Sequence, residues 1–411
     1  MVRLRRPKSP FEGLPREVSV LTSISFLVAV GFGVIIPAIP IFAKSFNVSN
    51  TLVGLMISSF AIMRFISGLF SGKLVDRFGE RLVLGCGLVM VAGFTLFAGL
   101  AQNYYQLLFF RTAGGLGSSM FTISAGALLL RVVSDGQRGR AQSLYNGGFI
   151  AGGVAGPAFG GALLAISPRA PFFIYSVLLI IAGIFALTFL HEKRLGISTA
   201  ADTANTQVMT IKEALKLRAY VYSLFLAFLG TWVFFGMRSS ILPLFAIEDI
   251  GATTSIVGLS FTLALITQGS VMVRAGKYSD KNGRKPVILT GFTITLLALF
   301  LLTISTNVTV YLIAMLVLGF GAGFATAAGA IVGDVIKGRS GKVYALWQMA
   351  GDAGMMVGPL VLGIIADAFS YRSALLVSAI VFSFALLIAI RIPETNSARL
   401  GGSENPRLQE G

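Results

Sequence analysis

Four ionisable residues stand inside stretches that are otherwise apolar: Arg64 in "AIMRFIS", Arg111 in "LFFRTAG", Arg238 in "FGMRSSI" and Asp352 in "MAGDAGM". A charge in such a setting is expensive, and it marks a substrate or ion pathway unless it is paired or reaches a polar boundary. Asp352 is the acid of the group and lies about eleven residues into its stretch, roughly 16 Å from the start at helical rise. A carboxyl there can gain or lose a proton as a cavity around it opens to one side or the other. Asp334, at the end of the preceding stretch, is the second candidate; a fixed pair between Asp352 and an arginine or the loop charges is the alternative. Arg111, about seven residues or roughly 10 Å inside its stretch, should face a polar cavity or else extend to the headgroups. Arg64 and Arg238 lie nearer the ends of theirs, where snorkelling or pairing is as open as contact with a substrate. No acid falls within the first six stretches, so proton chemistry rests on Asp352 and Asp334. Enzyme chemistry finds no support. His191 and Cys86 are the lone histidine and cysteine, which rules out a Ser-His-Asp set in a span, a cysteine metal cluster and an intrachain disulfide, and no G-x-x-x-x-G-K-[ST] phosphate loop is present. Neither a cofactor nor a metal is expected.

These residues need a scaffold, and composition names its solvent. With 55% hydrophobic residues, 12% charged residues and a mean hydropathy of +0.83, the chain holds more apolar material than a soluble core can bury. A membrane-crossing helix needs about 20 apolar residues. Twelve such stretches are predicted, at 18–43, 50–72, 82–101, 103–130, 140–164, 170–190, 219–246, 254–275, 286–305, 309–335, 341–369 and 371–391. The chain then divides into a tail (1–17), a first set of six (18–190), a polar linker (191–218), a second set (219–391) and a closing tail (392–411). The net charge of +16 could mean a nucleic-acid partner, but the basic residues are distributed otherwise. All 33 lysines and arginines fall in the tails and alternate loops except Lys44, Arg169 and Arg372 in the opposite loops and Arg64, Arg111 and Arg238 within spans. That bias places both tails and the linker in the cytoplasm of a multi-pass plasma-membrane protein, and it gives anionic lipid rather than nucleic acid as the partner of the charge. The basic N-terminus followed by a long apolar run reads as an uncleaved first span.

Two short segments recur. "GKLVDRFGERLVL" from Gly72 returns as "GKYSDKNGRKPVIL" from Gly276, 204 residues later, and "GGVAGPAFGG" around Gly156-Pro157 returns as "GMMVGPLVLG" around Gly358-Pro359 after 202. A duplication of six helices with one orientation, related by an axis along the membrane normal, accounts for both. In the first segment, read as a loop, Asp76 can pair with Arg77 or Arg81 and with the positive start of a facing helix, which would latch the two sets together. In the second, proline removes a backbone donor and bends the helix, while the glycines let a neighbour approach.

Gly72, Leu74, Asp76, Arg77, Gly79 and Arg81, with Glu80 in place of a usual basic residue, resemble the loop signature of the major facilitator superfamily. Gly276, Asp280, Gly283, Arg284 and Lys285 form its second copy. Arg111, Gly115 and Gly117 resemble the family's helix-4 pattern, and Gly152, Gly156, Pro157, Gly160 and Gly161 the helix-5 pattern of its antiporter, or drug-efflux, branch; Pro37 and Pro40 agree with that branch. The resemblance implies an all-α integral membrane protein of twelve transmembrane helices, arranged as two pseudo-symmetric six-helix bundles. It implies transport by alternating access, with export of an amphipathic or drug-like molecule against protons ahead of uptake of a sugar, organic acid or other metabolite. A non-transporting sensor or scaffold is the reading of a different class, and intact segments in both sets speak against it. Because helices 1, 4, 7 and 10 line the centre in that family, Phe26, Phe32, Trp232, Phe234, Phe235 and Phe324 become candidate cavity walls. A monomer is expected.

Overall fold

The computed structural model describes residues 11–133, 137–190, 209–335 and 341–395. Most of both tails, His191 and most of the expected linker lie outside them. Every regular element among the described residues is a helix, the form that pairs its own backbone groups where lipid offers no partner. The elements are α1 (Arg16–Ile35), α2 (Ala38–Lys44), α3 (Asn50–Phe78), α4 (Glu80–Gly99), α5 (Tyr104–Val132), α6 (Arg138–Ile166), α7 (Ala170–Phe189) and the short α8 (Ile211–Ala214). There follow α9 (Arg218–Thr231), a π segment (Trp232–Met237), α10 (Arg238–Leu244), a second π segment (Phe245–Asp249), α11 (Thr254–Asn282), α12 (Arg284–Ile304), α13 (Val308–Ala325), α14 (Ala328–Val335), α15 (Gly341–Ala368) and α16 (Tyr371–Arg391).

Among the described residues, eleven of the resulting stretches are long and apolar enough to cross a membrane, against the twelve that the sequence predicts. The remaining long helix is α5, which carries Arg111. Short described connections, such as Gly79, 100–103, Gly283 and 305–307, turn the chain back between successive long helices. Thus α3, α5, α7, α11, α13 and α16 begin at one end of the assembly, here the Asn50 end, and the others begin at the Gly79 end. Ser49, Asn103, Thr253, Asn307 and Ser370 cap five of these starts by accepting a hydrogen bond from the amide three residues on.

The segments read as loops, Gly72 to Gly79 and Gly276 to Gly283, are mostly helix: α3 runs to Phe78 and α11 to Asn282. No helix breaker precedes the second glycine, and Arg77 and Lys281 in the last turns suit the negative end of the helix dipole. Gly79 (φ 79°) and Gly283 (φ 102°) then make the turn, a conformation that favours glycine.

Two cores result. One gathers residues between Val18 and Leu190, joined by Leu244, and the other gathers residues between Ala214 and Ile392. Large apolar side chains such as Phe159 and Phe369 remain exposed on the outside, where lipid replaces water as their solvent. Pro37 separates α1 from α2, and the two π segments flank α10, which contains Pro243. Wide π turns of this kind are frequent at functional sites.

Candidate functional site

At the Asn50 end the two cores meet along two helix crossings. α3 crosses α15 where Gly54 faces the Pro359 carbonyl and Gly363 faces the backbone of Asn50 and Thr51; α6 crosses α11 where Gly258 faces the Pro157 carbonyl and Gly161. A Cβ at any of these four glycines would overlap backbone atoms, so only glycine permits the approach. The helix-5 pattern thereby separates into two faces. Gly152, Gly156 and Gly160, four residues apart, pack on the backbone of Phe26, Val30 and Val34 in α1, while Gly161 and the Pro157 carbonyl are turned to the other core. In α15, Gly354 and Gly358 face Phe228, Trp232 and Gly236 within their own core, and Pro359 and Gly363 face α3.

A carboxylate that the sequence reading did not single out reinforces the first crossing. Asp367, at the end of α15, accepts hydrogen bonds from the amides of Asn50 (2.8 Å) and Thr51 (2.7 Å) and from the Thr51 hydroxyl (2.6 Å). It caps α3 from another helix. Beside it the Tyr371 hydroxyl donates to Glu248 (2.6 Å) and lies 2.8 Å from the Asn50 side-chain oxygen. The available signal was an acid in the last turn of a helix, where the dipole disfavours it unless something else holds it.

On the Gly79 side of these crossings, a cavity of about 140 Å³ lies between the cores, with Phe32, Phe149, Phe234, Phe235, Phe261 and Arg238 among its walls. Phe32 and Phe235, both in its wall, stack on one another with centroids 6.0 Å apart and planes at 17°. A second cavity of about 320 Å³ lies within the C-terminal core, bordered by Thr231, Gln268, Thr326 and Trp347, and Phe234 borders both. Trp232, Phe26 and Phe324 line neither cavity. Trp232 is buried against Phe228 with its indole nitrogen unpartnered among the described residues, Phe26 is exposed, and Phe324 packs on Phe320.

The charges within spans fall into different settings. Arg238 follows directly on the first π segment; its guanidinium lies 5.1 Å from the Phe261 ring centroid and reaches the Phe261 carbonyl only at 3.5 Å. Arg111 is 6% exposed, sits 4.6 Å from the Phe60 centroid and leaves its Nε without a partner, and it lines neither cavity. Arg64 stands at the middle of the 29-residue α3, not near a span end, because the helix continues into the expected loop. Asp352, half-buried on α15, makes no hydrogen bond or ion pair within 4.0 Å among the described residues, and Arg64 of α3 is the charged group that acts on it. Asp334 is committed elsewhere, to Arg284 at 2.9 Å and the Thr395 hydroxyl at 3.0 Å.

At the Gly79 end, the expected pairing of Asp76 does not form. Asp76 is exposed and unpaired among the described residues, Arg77 lies over the Phe78 ring, and Arg81 donates to the Leu187 carbonyl in the last turn of α7. Consecutive helical residues do not face one another, and the free carbonyls of a helix end attract a cation. In the second copy, Arg284 pairs with both Asp280 and Asp334, and Glu394 accepts from the Arg284 and Lys285 amides. Glu80 pairs with Arg131 at 2.8 Å. Glu80 and Arg284 are 204 residues apart, and Arg131 and Asp334 are 203 apart, so the same bridge occurs in both cores with its charges exchanged. Gly72 and Gly276 have open space where a Cβ would stand.

Comparison with known proteins agrees with this architecture. The Major Facilitator Superfamily profile matches residues 21–251 and again 227–409. Similar proteins include the quinolone resistance protein NorA of Staphylococcus aureus, 26% identical over 199 residues, which make up 47% of this chain and 50% of that protein. Another is multidrug resistance protein 2 of Bacillus subtilis (strain 168), 27% identical over 274 residues, or 66% and 68% of the two chains. The chain spans about half the length of the NorA proteins it matches. Among solved structures, a bacterial homologue of the human lysosomal transporter Spinster, in an inward-facing and occupied conformation, has a TM-score of 0.76 at 17% identity, covering 97% of this chain and 100% of that one. The peptide transporter POT has a TM-score of 0.73 at 14% identity, covering 94% and 96%. The structural likenesses speak to the fold alone; with the profile spanning nearly the whole sequence, this chain belongs to the major facilitator superfamily.

Proposed function

We propose that this chain is a secondary-active transporter of the plasma membrane that works by alternating access as a monomer and exports a small amphipathic or drug-like molecule in exchange for protons. In this reading α5 supplies a twelfth span, and the two cores are pseudo-symmetric six-helix bundles at 18–190 and 219–391. The observation that carries it is the pair of glycine crossings at the Asn50 end, Gly54 on Pro359 and Gly258 on Pro157, with a cavity between the cores on their Gly79 side. Two stacked bundles that touch closely at one end can rock about that contact and expose the cavity to the other side. The positive-inside bias supports a cytoplasmic Gly79 end together with both tails, and in that orientation the arrangement described is the inward-facing one. Asp352 and Arg64 come from the two helices of the first crossing and from opposite bundles, so protonation of Asp352 would weaken an attraction between bundles and couple proton uptake to rocking. The names of the relatives, quinolone and multidrug resistance proteins, support a drug-like cargo.

Inside-out vesicles carrying the chain, supplied with cationic dyes, neutral drugs and metabolites, test this reading. Export predicts accumulation in the vesicle lumen only when the lumen is the more acidic side. Accumulation only in right-side-out vesicles makes the chain an importer, and none in either orientation removes transport.

A further inference from the structure

The cavity between the cores holds a cation that the protein does not neutralise. Arg238 lies in its wall, no Asp or Glu does, and among the described residues the guanidinium has no carboxylate within 4.0 Å. Its one hydrogen bond among the described residues, to the Phe261 carbonyl, is long at 3.5 Å, and its guanidinium carbon lies over the Phe261 ring, 5.1 Å from the centroid. The acid on a neighbouring helix, Asp352, is already faced by Arg64. An isolated charge in such surroundings is strongly disfavoured unless something completes it. Most of the donors of its planar fork remain unused among the described residues, an arrangement suited to a bidentate oxyanion.

The rest of the cavity specifies what carries that anion. Its volume of about 140 Å³ is close to that of cavities that take up a single benzene ring. Phe32 from one core and Phe235 from the other stack on one another in its wall, and Phe234 borders both this cavity and the larger second one. We propose that this cavity selects amphipathic aromatic anions, with the ring held among Phe32, Phe235 and Phe149 and a carboxylate or sulfonate paired with Arg238. The inference rests on the cavity being the substrate site of the transporter proposed above.

The test separates selectivity from transport. Purified protein is titrated with 4-phenylbutyrate, 4-phenylbutanamide and 4-phenylbutylamine, and binding is followed by isothermal titration calorimetry. The carboxylate should bind about 10-fold or more tighter than the amide, and the amine weakest. Arg238→Gln should erase that preference while the affinity for the amide stays within about 2-fold, which also shows that the variant is folded; Arg238→Lys should keep part of the preference. Tightest binding of the amine, or an anion preference that survives Arg238→Gln, overturns the proposal even where vesicles accumulate drugs. An Arg238-dependent anion preference in a chain that moves nothing across vesicles upholds the selectivity and removes only the transport reading.

Discussion

Replacing Asp367 with alanine removes a carboxylate that holds α3 of one core to α15 of the other. The lost interactions are two amide hydrogen bonds at 2.8 and 2.7 Å and one from the Thr51 hydroxyl at 2.6 Å. Together they amount to an N-cap supplied by another helix, and removing a cap costs about 0.5–2 kcal/mol. Asp367 is exposed, so water partly replaces it and the full strength of a buried charged hydrogen bond does not apply. A loss of about 1–2 kcal/mol from the state closed at the Asn50 end lowers its ratio to the opened state by about 5- to 30-fold. Labels at Gln102 and Thr306, exposed at that end and one in each core, report the change as a distance distribution once Cys86, the only cysteine, has been replaced by alanine. Asp367→Ala should raise a longer-distance population, and Asp367→Asn, which keeps an acceptor but loses the charge, should fall between it and the parent. An unchanged distribution in Asp367→Ala refutes the latch.

Gly258→Val should shift the same distribution further, by more than about 10-fold in population, because its side chain must enter the space of the Pro157 carbonyl and the Gly161 backbone; the distance measurement on this variant checks it. Glu80→Arg should place two arginines together and lower the melting temperature, whereas Glu80→Arg with Arg131→Glu should recover most of the loss, since the bridge works with either polarity in the two cores. A double-mutant cycle should give a coupling of about 1 kcal/mol.

Much of this architecture is legible in the sequence because lipid imposes a coarse rule: about 20 apolar residues make a crossing. The turn glycines Gly79 and Gly283 were visible as the second glycine of a repeated segment, and the stripe Gly152, Gly156 and Gly160 as a four-residue period. Other features have no local signature. The segment around Asp76 looks like a loop because it is polar, yet nothing in it stops a helix until Gly79, and that extension moves Arg64 to the middle of α3. Glu80 was visible as a departure from a basic position, but its partner Arg131 lies 51 residues away and only packing joins them. No composition marks the π segment that ends just before Arg238. Asp367 is one acid in a stretch of small and apolar residues, and its meaning appears only when the start of α3, more than 300 residues earlier, is placed against it.

The central claim, proton-driven movement of a small molecule by this chain, is tested most directly with purified protein in liposomes whose lumen is more acidic than the bath. Wild type should accumulate substrate above its bath concentration while protons leave the lumen, and an ionophore that collapses the pH difference should stop it. Asp352→Asn, which keeps the shape of the side chain but cannot cycle a charge, should bind substrate and exchange it downhill without accumulating it. Full accumulation by Asp352→Asn, or binding by wild type with no accumulation under the pH difference, contradicts the account.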